Sequence, residues 1–562
     1  EIEKKLSTTL SPILLFEYTN IRELANHLKE LAGSSPEETH QEVQSVAFDE
    51  REGSFKPLSA TVSTEEVGAE DTDDIAIIGL AGRYPGAENI EEFWINLKAG
   101  KDCITTIPSE RWDEKIWENL KSPTGKKLSK WGGFIQNHDC FDPQFFRISP
   151  REAETMDPQE RLFLQACSEV MEDAGYTASN LVVPHGRHQR RKVGVFVGVM
   201  HNDYTIIGAE SITTGERFPL SINYAPIANR VSYYYNFHGP SLAIDTVCSS
   251  SLTAVHLAIG SILRGESQVA IAGGVNLSLH PNKYLTYGLM DMHASDGRCH
   301  TFGDGGDGYV SGEGIGAVLL KPLKRAVQDQ DHIYAVIKGS AINHGGKVSG
   351  FTVPSPVAHS HVIEECLERA GIGARTISCV EAHGTGTSLG DPIEIQGLAK
   401  AYAQNTSDLQ FCSIGSVKSN IGHAESAAGI SGLSKVVLQL HHKTLVPSLH
   451  AETENPHINF KASPFFVQHK TETWQQPVIT SNGKSHSCPR RAGLSSFGAY
   501  GSNAHLILEE YIPQTVGSMA AGDTKNSPVL IPLSAKNEER LRVYANKLHT
   551  FLEEAEDRKS VV

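Results

Sequence analysis

The chain has 562 residues, of which 39% are hydrophobic and 7% aromatic, a composition typical of a globular protein with several structural units. Its 50 basic and 66 acidic residues give a formal net charge of −16, which disfavours nucleic acid as a partner. It lacks an apolar run long enough to cross a membrane, and its nine cysteines form no Cys-x-x-Cys pair. We therefore expect no membrane partner and a reducing, cytoplasmic location.

The first 73 residues divide into a helical part and an acidic part. Within residues 1–33, leucines and isoleucine recur at helical spacing and predict one amphipathic helix, which is too little to form a domain alone. Residues 34–73 hold eleven acidic and two basic residues and few aromatics. Such a segment buries too little apolar surface to fold, so we interpret it as a flexible linker.

From residue 74 onward, apolar runs that predict buried strands alternate with helical patterns. The predicted strands lie at 74–82, 193–198, 242–246, 268–275, 334–343, 377–384 and 411–420. The predicted helices lie at 90–98, 223–236, after Cys248, and at 359–371, 392–403 and 425–442. Strands of this kind, separated by helices, predict mixed sheets covered on both faces, and the repetition suggests two related halves.

A thiol stands at one of the predicted bends between strand and helix, in "AIDTVCSSSLTAVHLAIGSIL". Free N–H groups and partial positive charge at a helix N-terminus stabilise an anion, so Cys248 is a candidate nucleophile with a lowered pKa. The alternative is inert packing, which is the usual role of a free cysteine.

The second half supplies the partners that a thiol nucleophile needs. "EAHGTGTSLGDP" puts His383 in a glycine-rich turn after a strand, and "GSVKSNIGHAESAAG" groups Lys418, Asn420 and His423 at a second strand end. A third glycine-rich segment, at 495–505, offers backbone N–H groups to an oxyanion. Zinc is the rival interpretation, but these residues lack metal-ligand spacing, so we expect no metal.

The motifs "DTVCSSSL", "EAHGTGT" and "KSNIGHAESAAG", in this order, resemble the β-ketoacyl synthase (ketosynthase) domain of a modular type I polyketide synthase. The resemblance runs from about Asp74 to Glu510. It implies a thiolase-like α/β fold, with duplicated halves and mixed five-stranded sheets in an α/β/α/β/α arrangement. It also implies polyketide chain elongation by decarboxylative Claisen condensation with malonyl-acyl carrier protein.

The resemblance assigns roles to the candidate residues. Cys248 would hold the growing acyl chain as a thioester, while His383 and His423 would bind the malonyl thioester carbonyl and promote decarboxylation. Which histidine performs which step stays open. Lys418 and Asn420 would support this site.

Two further assignments come from the same resemblance. The backbone amides of Cys248 and Phe497 would form the oxyanion hole, and Thr385 and Thr387 would hydrogen-bond the phosphopantetheine arm. The chain would bind no cofactor itself, because its substrates arrive on the phosphopantetheine of acyl carrier proteins.

The resemblance also covers the ends and the partners. Residues 1–33 resemble the C-terminal helices of an upstream acyl carrier protein, 74–510 the ketosynthase domain, and 511–562 the start of the linker domain that follows it. The implied partners are an upstream acyl carrier, a malonyl carrier, a second copy of the chain in a homodimer, and an acyltransferase acting in trans.

Two other functions use the same residues. One is a non-elongating ketosynthase that only transacylates, and the other is a thiolase or thioester hydrolase. The cysteine at 248 and the intact "HGTGT" motif favour condensation, because loading-type and non-elongating relatives usually lose one or the other.

Overall fold

The structure, a computed structural model, describes residues 24–25, 73–117, 120–184, 186, 189–215, 223–481, 484–513 and 530–554. The predicted amphipathic helix and acidic linker therefore lie outside the described residues, except for two helical residues at 24–25 and for Asp73. The chain divides into two compact units, Glu1–Tyr511 and Ile512–Val562. Within the described ranges, no helix has the length and apolar character needed to cross a membrane.

One eleven-stranded sheet organises the first unit. In chain order its strands are β1 (Ile75–Arg83), β4 (Val193–Gly198), β5 (Ser241–Ile244), β6 (Val269–Asn276), β7 (Gly314–Pro322), β8 (Ala335–His344), β9 (Cys379–Glu381), β10 (Cys412–Gly415), β12 (Phe465–Val467), β16 (Arg491–Phe497) and β17 (Ser502–Glu509). Three two-stranded ladders pair β2 (Thr105–Thr106) with β3 (Trp131–Gly132), β11 (Thr444–Leu445) with β13 (Glu472–Thr473), and β14 (Val478–Ser481) with β15 (Lys484–Ser487).

Twelve described helices belong to the same unit. They are α1 (Ile90–Lys98), α2 (Pro150–Thr155), α3 (Pro158–Asp173), α4 (Asp203–Thr213), α5 (Ala225–Tyr235), α6 (Ser250–Leu263), α7 (Asn282–Leu289), α8 (Leu323–Gln328), α9 (Pro356–Ala370), α10 (Gly390–Ala403), α11 (Lys418–Ile421) and α12 (Ala428–His442). In the second unit, the described residues form one helix, α13 (Glu538–Glu554).

The strand order is β12-β10-β9-β16-β17-β8-β1-β7-β6-β4-β5, which separates into two halves. β1 pairs with β7 along nearly its whole length but with β8 over only three residues, so the halves meet at a short seam. The predicted mixed α/β class is confirmed. The first half has the five strands expected, and the second half has a sixth because β12 adds to its edge.

Helices α6 and α12 lie between the halves, and other helices cover the two outer faces. Leu252 of α6 and Ile430 of α12 pack in one hydrophobic cluster with side chains of β7 and β17. In β7, Val318 and Leu320 face this cluster while Leu319 faces the α3 and α5 side, as expected for side chains that alternate along a strand. Helices α9 and α10 contribute to a third cluster against the second half. These layers have the predicted α/β/α/β/α order.

Several predicted boundaries differ from the observed ones. The run 411–420 is not one strand, since β10 ends at Gly415 and a short helix follows. The glycine-rich segment 495–505 is mostly strand, and its loop is only 498–501. Apolar periodicity locates an element well but does not locate its ends, which depend on individual hydrogen bonds.

Candidate active site

Cys248 lies on a 3₁₀ turn, Val247–Ser249, between β5 and α6. Val247 has a φ of +59°, which is unusual for a β-branched residue. Its N–H donates to Asp245 Oδ1 at 2.9 Å, and its carbonyl accepts from Ser250 Oγ at 2.6 Å. From the other half, Ser496 Oγ donates to the Cys248 carbonyl at 2.8 Å. The bend is therefore held from both sides, and Cys248 is partly exposed as a residue and lines a cavity.

The electrostatics of this thiol differ from the sequence expectation. Burial is the largest effect and raises the pKa of Cys248 to about 12, and the negative charge of Glu425 adds to the rise. The charge of Lys418 and the backbone N–H groups of Ala499 and Cys248 itself act in the opposite direction. The predicted lowering of the pKa is wrong for the free protein, because desolvation outweighs the helix N-terminus.

His383 follows β9 and is positioned by backbone groups. The N–H groups of His383 and Gly384 both donate to the carboxylate of Glu394, at 2.7 Å each. The Phe497 N–H donates to His383 Nδ1 at 3.3 Å. Because Nδ1 accepts, the ring proton belongs on Nε2. Burial, then the charge of Lys418, holds the pKa of His383 well below its usual value, so the ring stays neutral.

His423 follows α11 and repeats this arrangement. The backbone N–H of Glu425 donates to His423 Nδ1 at 3.0 Å, which again places the proton on Nε2. This Nε2 is buried and has no hydrogen-bond partner among the described residues. Burial lowers the pKa of His423 to about 3. The rings of His383 and His423 are 5.5 Å apart and nearly perpendicular, so two neutral N–H donors stand side by side.

A cavity of about 420 Å³ connects these residues. Cys248, His383 and His423 all line it, so the structure brings the predicted thiol and histidines together. Thr385 and Thr387 also line it, with their hydroxyl oxygens 3.3 Å apart. The cavity therefore offers a thiol, two imidazole donors and a hydroxyl pair in one enclosed space.

The two predicted supporting residues, Lys418 and Asn420, have different surroundings. Lys418 is buried, and burial lowers its pKa while the charges of Glu381 and Glu394 act against that shift. The Asn420 side chain instead donates to the Lys101 carbonyl at 3.1 Å, and Asn420 does not line the cavity. The Asn420 amide therefore ties two loops together, and the supporting role of Asn420 at the site stays a prediction.

The predicted oxyanion residues, Cys248 and Phe497, both line the cavity. The Phe497 N–H donates to His383 Nδ1 at 3.3 Å in the free protein. The backbone N–H groups of Ala499 and Cys248 act to lower the pKa of the Cys248 thiol. Ala499 lies in the four-residue loop between β16 and β17, and it lines the cavity.

An ion cluster next to His423 was missed by sequence reasoning. Glu425 Oε2 lies 2.8 Å from both Lys283 Nζ and His201 Nε2, and Ser311 Oγ donates to Oε1 at 3.0 Å. The Lys283 and Glu425 side chains are each only 1% exposed. These cations hold the pKa of Glu425 far below its usual value although burial opposes them. No local pattern announces this cluster, because its members are far apart in the chain.

A second buried carboxylate, Glu394, has the opposite electrostatics. Burial raises its pKa to about 7, and its two hydrogen bonds from backbone N–H groups only partly counter that rise. In the part of the chain that the structure describes, no group of three or more His, Cys, Asp or Glu is arranged to hold a metal ion. The site is therefore built from a thiol, neutral imidazoles and backbone amides.

Comparisons with known proteins match most of the chain. Residues 72–326 match the family described as "Beta-ketoacyl synthase, N-terminal domain", and residues 334–452 match "Beta-ketoacyl synthase, C-terminal domain". Residues 455–561 match "Ketoacyl-synthetase C-terminal extension".

Similar proteins include polyketide synthases of Bacillus subtilis (strain 168). The chain is 65% identical to Polyketide synthase PksM over 99% of the chain and 13% of that relative, and 63% identical to Polyketide synthase PksL over 98% and 12%. The chain thus spans only about an eighth of these relatives.

Two solved ketosynthases have a similar fold. The oxazolomycin ketosynthase domain OzmH KS7 of Streptomyces albus JA3453 superposes with a TM-score of 0.77 at 46% identity, over 86% of this chain and 82% of that one. The ketosynthase from module 6 of the bacillaene synthase of Bacillus subtilis 168 gives 0.76 at 42% identity, over 86% and 78%.

Proposed function

The chain belongs to the β-ketoacyl synthase family and is a carbon–carbon bond-forming acyltransferase of the polyketide synthase type; from that premise we propose that it condenses a Cys248-bound acyl chain with malonyl-acyl carrier protein, with loss of carbon dioxide. The observation that supports this best is the pair of Nε2–H donors. His383 and His423 each have Nδ1 bound to a backbone amide, so both present a neutral N–H beside the same thiol.

In the first half-reaction, Cys248 Sγ attacks the carbonyl of an acyl-pantetheine thioester. A new thioester forms on Cys248, the bond to the pantetheine sulfur breaks, and the thiol proton passes to the leaving sulfur. The resting thiol is protonated because of its raised pKa, so attack requires stabilisation of the charge that develops on the carbonyl oxygen. We assign that role to the backbone amides of Cys248 and Phe497, which both line the cavity.

In the second half-reaction, the malonyl thioester loses carbon dioxide. The electron pair of the broken carbon–carbon bond stays with the thioester, which becomes an enolate. The enolate oxygen receives hydrogen bonds from Nε2 of His383 and His423, which suit this step because they are neutral donors and not strong bases. The enolate carbon attacks the acyl-Cys248 carbonyl, and the Cys248 sulfur leaves as a thiolate that takes a proton from solvent. The product is a β-ketoacyl chain on the extender carrier.

We assign binding of the pantetheine arm to the hydroxyls of Thr385 and Thr387, which line the same cavity. The chain itself holds no cofactor in this proposal, and its partners are an upstream acyl carrier and a malonyl carrier. We assign Lys418 an electrostatic role, because it is buried and its charge acts on Cys248, His383 and His423.

One assay separates the possible functions. Purified protein is given an acyl-pantetheine thioester, with malonyl-carrier added or withheld, and intact mass spectrometry follows Cys248 and the carrier. We expect acyl-Cys248 alone without malonyl-carrier and an elongated β-ketoacyl-carrier with it. Loading without elongation would indicate a transacylating protein, and free acid would indicate a hydrolase. Cys248→Ala is the control that loses acyl loading and elongation together.

We also propose that the extender carrier is charged by a separate acyltransferase. The segment "VLIPLSAKNEERL" resembles the linker after ketosynthases of that kind. Extension should then occur with preloaded malonyl-carrier but not with unloaded carrier and malonyl-coenzyme A. Charging of the carrier by the purified chain would contradict this proposal.

The proposed homodimer is supported by the edge of the sheet. β5 is the last strand of the sheet, and no described strand pairs with its outer side. Leu242 on this strand is 45% exposed, and Tyr233 on the preceding helix α5 is 83% exposed. Light scattering at micromolar concentration should give twice the chain mass of 61.1 kDa, and a monomer mass would contradict the dimer.

We propose the same division of the chain as the sequence indicates: a carrier-protein tail at 1–33, a linker at 34–73, the ketosynthase at 74–510 and the start of a linker domain at 511–562. The first compact unit ends at Tyr511, which supports the proposed end of the ketosynthase at residue 510.

A further inference from the structure

A third histidine, His359, stands in the wall of the catalytic cavity. It lies in the first turn of α9, lines the cavity and is only 3% exposed. Its ring stacks on the Phe497 ring, with centroids 3.7 Å apart and an interplanar angle of 8°. Phe497 is the residue whose N–H orients His383, so His359 is one residue removed from the reacting groups.

The Nδ1 atom of His359 is buried and lacks a hydrogen-bond partner among the described residues. Buried His505 differs, because its Nδ1 pairs with Ser495 Oγ at 3.0 Å, whereas catalytic-site His423 shares with His359 a ring nitrogen without a partner among the described residues. A buried polar group without a partner destabilises the free protein, so its presence in a cavity wall indicates a partner supplied by a ligand.

The charge state of the His359 ring restricts the kind of ligand that it can bind. Burial alone lowers the pKa of His359 to about 3, so the ring is neutral at physiological pH. A neutral imidazole has one N–H donor and one lone-pair acceptor. It therefore matches a neutral carbonyl, amide or hydroxyl better than a carboxylate or a phosphate, which would favour a cation.

We propose that His359 is a substrate-binding residue that hydrogen-bonds a neutral oxygen-bearing or amide group of the thioester in the cavity. This rests on the proposed function, since that function puts an acyl-pantetheine thioester there. Two parts of such a substrate have this chemistry: the amides of the pantetheine arm and an oxygen substituent on the acyl chain.

The test uses two substitutions with opposite chemistry. His359→Phe keeps the ring and its stacking on Phe497 but removes both nitrogens, whereas His359→Gln keeps a donor and an acceptor but removes the ring. His361→Gln is the matched control, because His361 is an exposed residue of the same helix. The rate of Cys248 acylation is measured by intact mass spectrometry with butyryl-pantetheine, butyryl-N-acetylcysteamine and 3-hydroxybutyryl-pantetheine.

We expect His359→Phe to lower the acylation rate constant by about three- to tenfold, the effect of one neutral hydrogen bond. His359→Gln should stay within about threefold of wild type, and His361→Gln should equal wild type. The Phe variant should also melt at or above the wild-type temperature, because an unsatisfied polar group has been removed while packing is retained. A purely structural histidine would not produce slower acylation together with undiminished stability.

The substrates identify the bound group. A loss with both butyryl substrates indicates the amide nearest the sulfur, a loss only with pantetheine thioesters indicates the outer amide, and a loss only with the 3-hydroxy substrate indicates an acyl oxygen. Equal rates for wild type and the Phe variant on all three substrates would overturn the proposal, as would a Gln variant as slow as a folded Phe variant. If the Phe variant does not fold, His359→Met replaces it and is judged by the same rates. A wild-type protein that is never acylated would contradict the proposed function itself, and this inference with it.

Discussion

The loop of His383 and the turn of His423 both leave an Nε2–H free for the substrate, but the buried carboxylates beside them have different partners. In each, a backbone N–H binds Nδ1 and leaves Nε2–H for the substrate. Behind His383, the carboxylate of Glu394 accepts two backbone N–H groups and forms no ion pair within the described residues. Behind His423, Glu425 lies 2.8 Å from both the Lys283 ammonium and His201 Nε2. Backbone geometry fixes the tautomer in both. Burial acts to raise the pKa of both carboxylates, but the partners of Glu425 reverse the net shift there.

This difference means that the two regions should respond differently to substitution and to pH. Burial raises the pKa of Glu394 to about 7, whereas Lys283 and His201 hold the pKa of Glu425 below its usual range. The following four predictions use that contrast, from the largest expected effect to the smallest.

Lys283→Met should separate the two regions most clearly. It leaves the Glu425 carboxylate buried with His201 as its remaining ion-pair neighbour, and breaking a buried pair in this way lowers the free energy of unfolding by about 3–5 kcal/mol. Lys126→Met is the control, because its partner Asp307 is 43% exposed, and it should cost less than about 1 kcal/mol. Urea unfolding measures both. Equal costs would mean that the Glu425 ion pair contributes no more than a surface one.

The pH dependence of stability should distinguish the two carboxylates. Because the folded pKa of Glu394 is raised from 4.5 to about 7, wild-type folding binds a proton in this window, and stability falls as pH rises through it. The cost of Glu394→Gln should therefore shrink by about 3 kcal/mol between pH 4.5 and pH 7. For Glu425 the folded pKa is lowered, so the cost of Glu425→Gln should be full above pH 4.5 and diminish as pH falls below it. The same trend for both variants would contradict the contrast.

Substitution of either histidine should show that the regions share one chemical role. His383→Ala and His423→Ala should each slow decarboxylative condensation by roughly a hundredfold or more, because each removes one donor to the enolate oxygen. Both variants should still become acylated on Cys248, although more slowly, since the amides at the thiol remain in place. Intact mass spectrometry of the protein and of the carrier reports the two half-reactions. A His383→Ala protein that elongates at the wild-type rate would refute the assigned mechanism.

The pH dependence of Cys248 alkylation is the smallest of the expected effects. With a pKa of about 12, Cys248 should react with iodoacetamide at a rate that rises about tenfold per pH unit up to pH 9 and beyond. The experiment uses a Cys140→Ser background, because Cys140 is the other accessible thiol and would mask the signal. A rate that levels off below pH 8 would instead support a thiolate stabilised by the helix N-terminus.

The sequence predicted the parts of this molecule that depend on local pattern. Apolar runs located β4 and α12, and the predicted helix at 90–98 coincides with Ile90–Lys98. The glycine-rich turns after strands placed His383 and His423 near the thiol, because the ends of neighbouring strands and helices meet at one edge of the sheet.

Features that depend on distant partners were not predictable in this way. The ion pair of Lys283 and Glu425 joins residues 142 positions apart, and neither neighbourhood has a recognisable pattern. The pKa of Cys248 depends on how much water the folded site excludes, which no local sequence encodes. The hydrogen bond from the Phe497 N–H to His383 Nδ1, at 3.3 Å, joins the ends of two strands and was not predicted.

The central place of β1 has a consequence for how the chain is made. Its neighbours are β7, which ends at Pro322, and β8, which reaches Ile337 at the seam. During synthesis, β1 is translated before its neighbours in the sheet, which follow about 240 residues later. At the usual rates of translation, that distance takes roughly 12–50 seconds. Throughout that interval the apolar run from Ile75 to Leu80 has no strand to pair with. We therefore expect nascent chains that stall between residues 100 and 310 to aggregate or to bind chaperones, and chains that have passed residue 340 to be released from both.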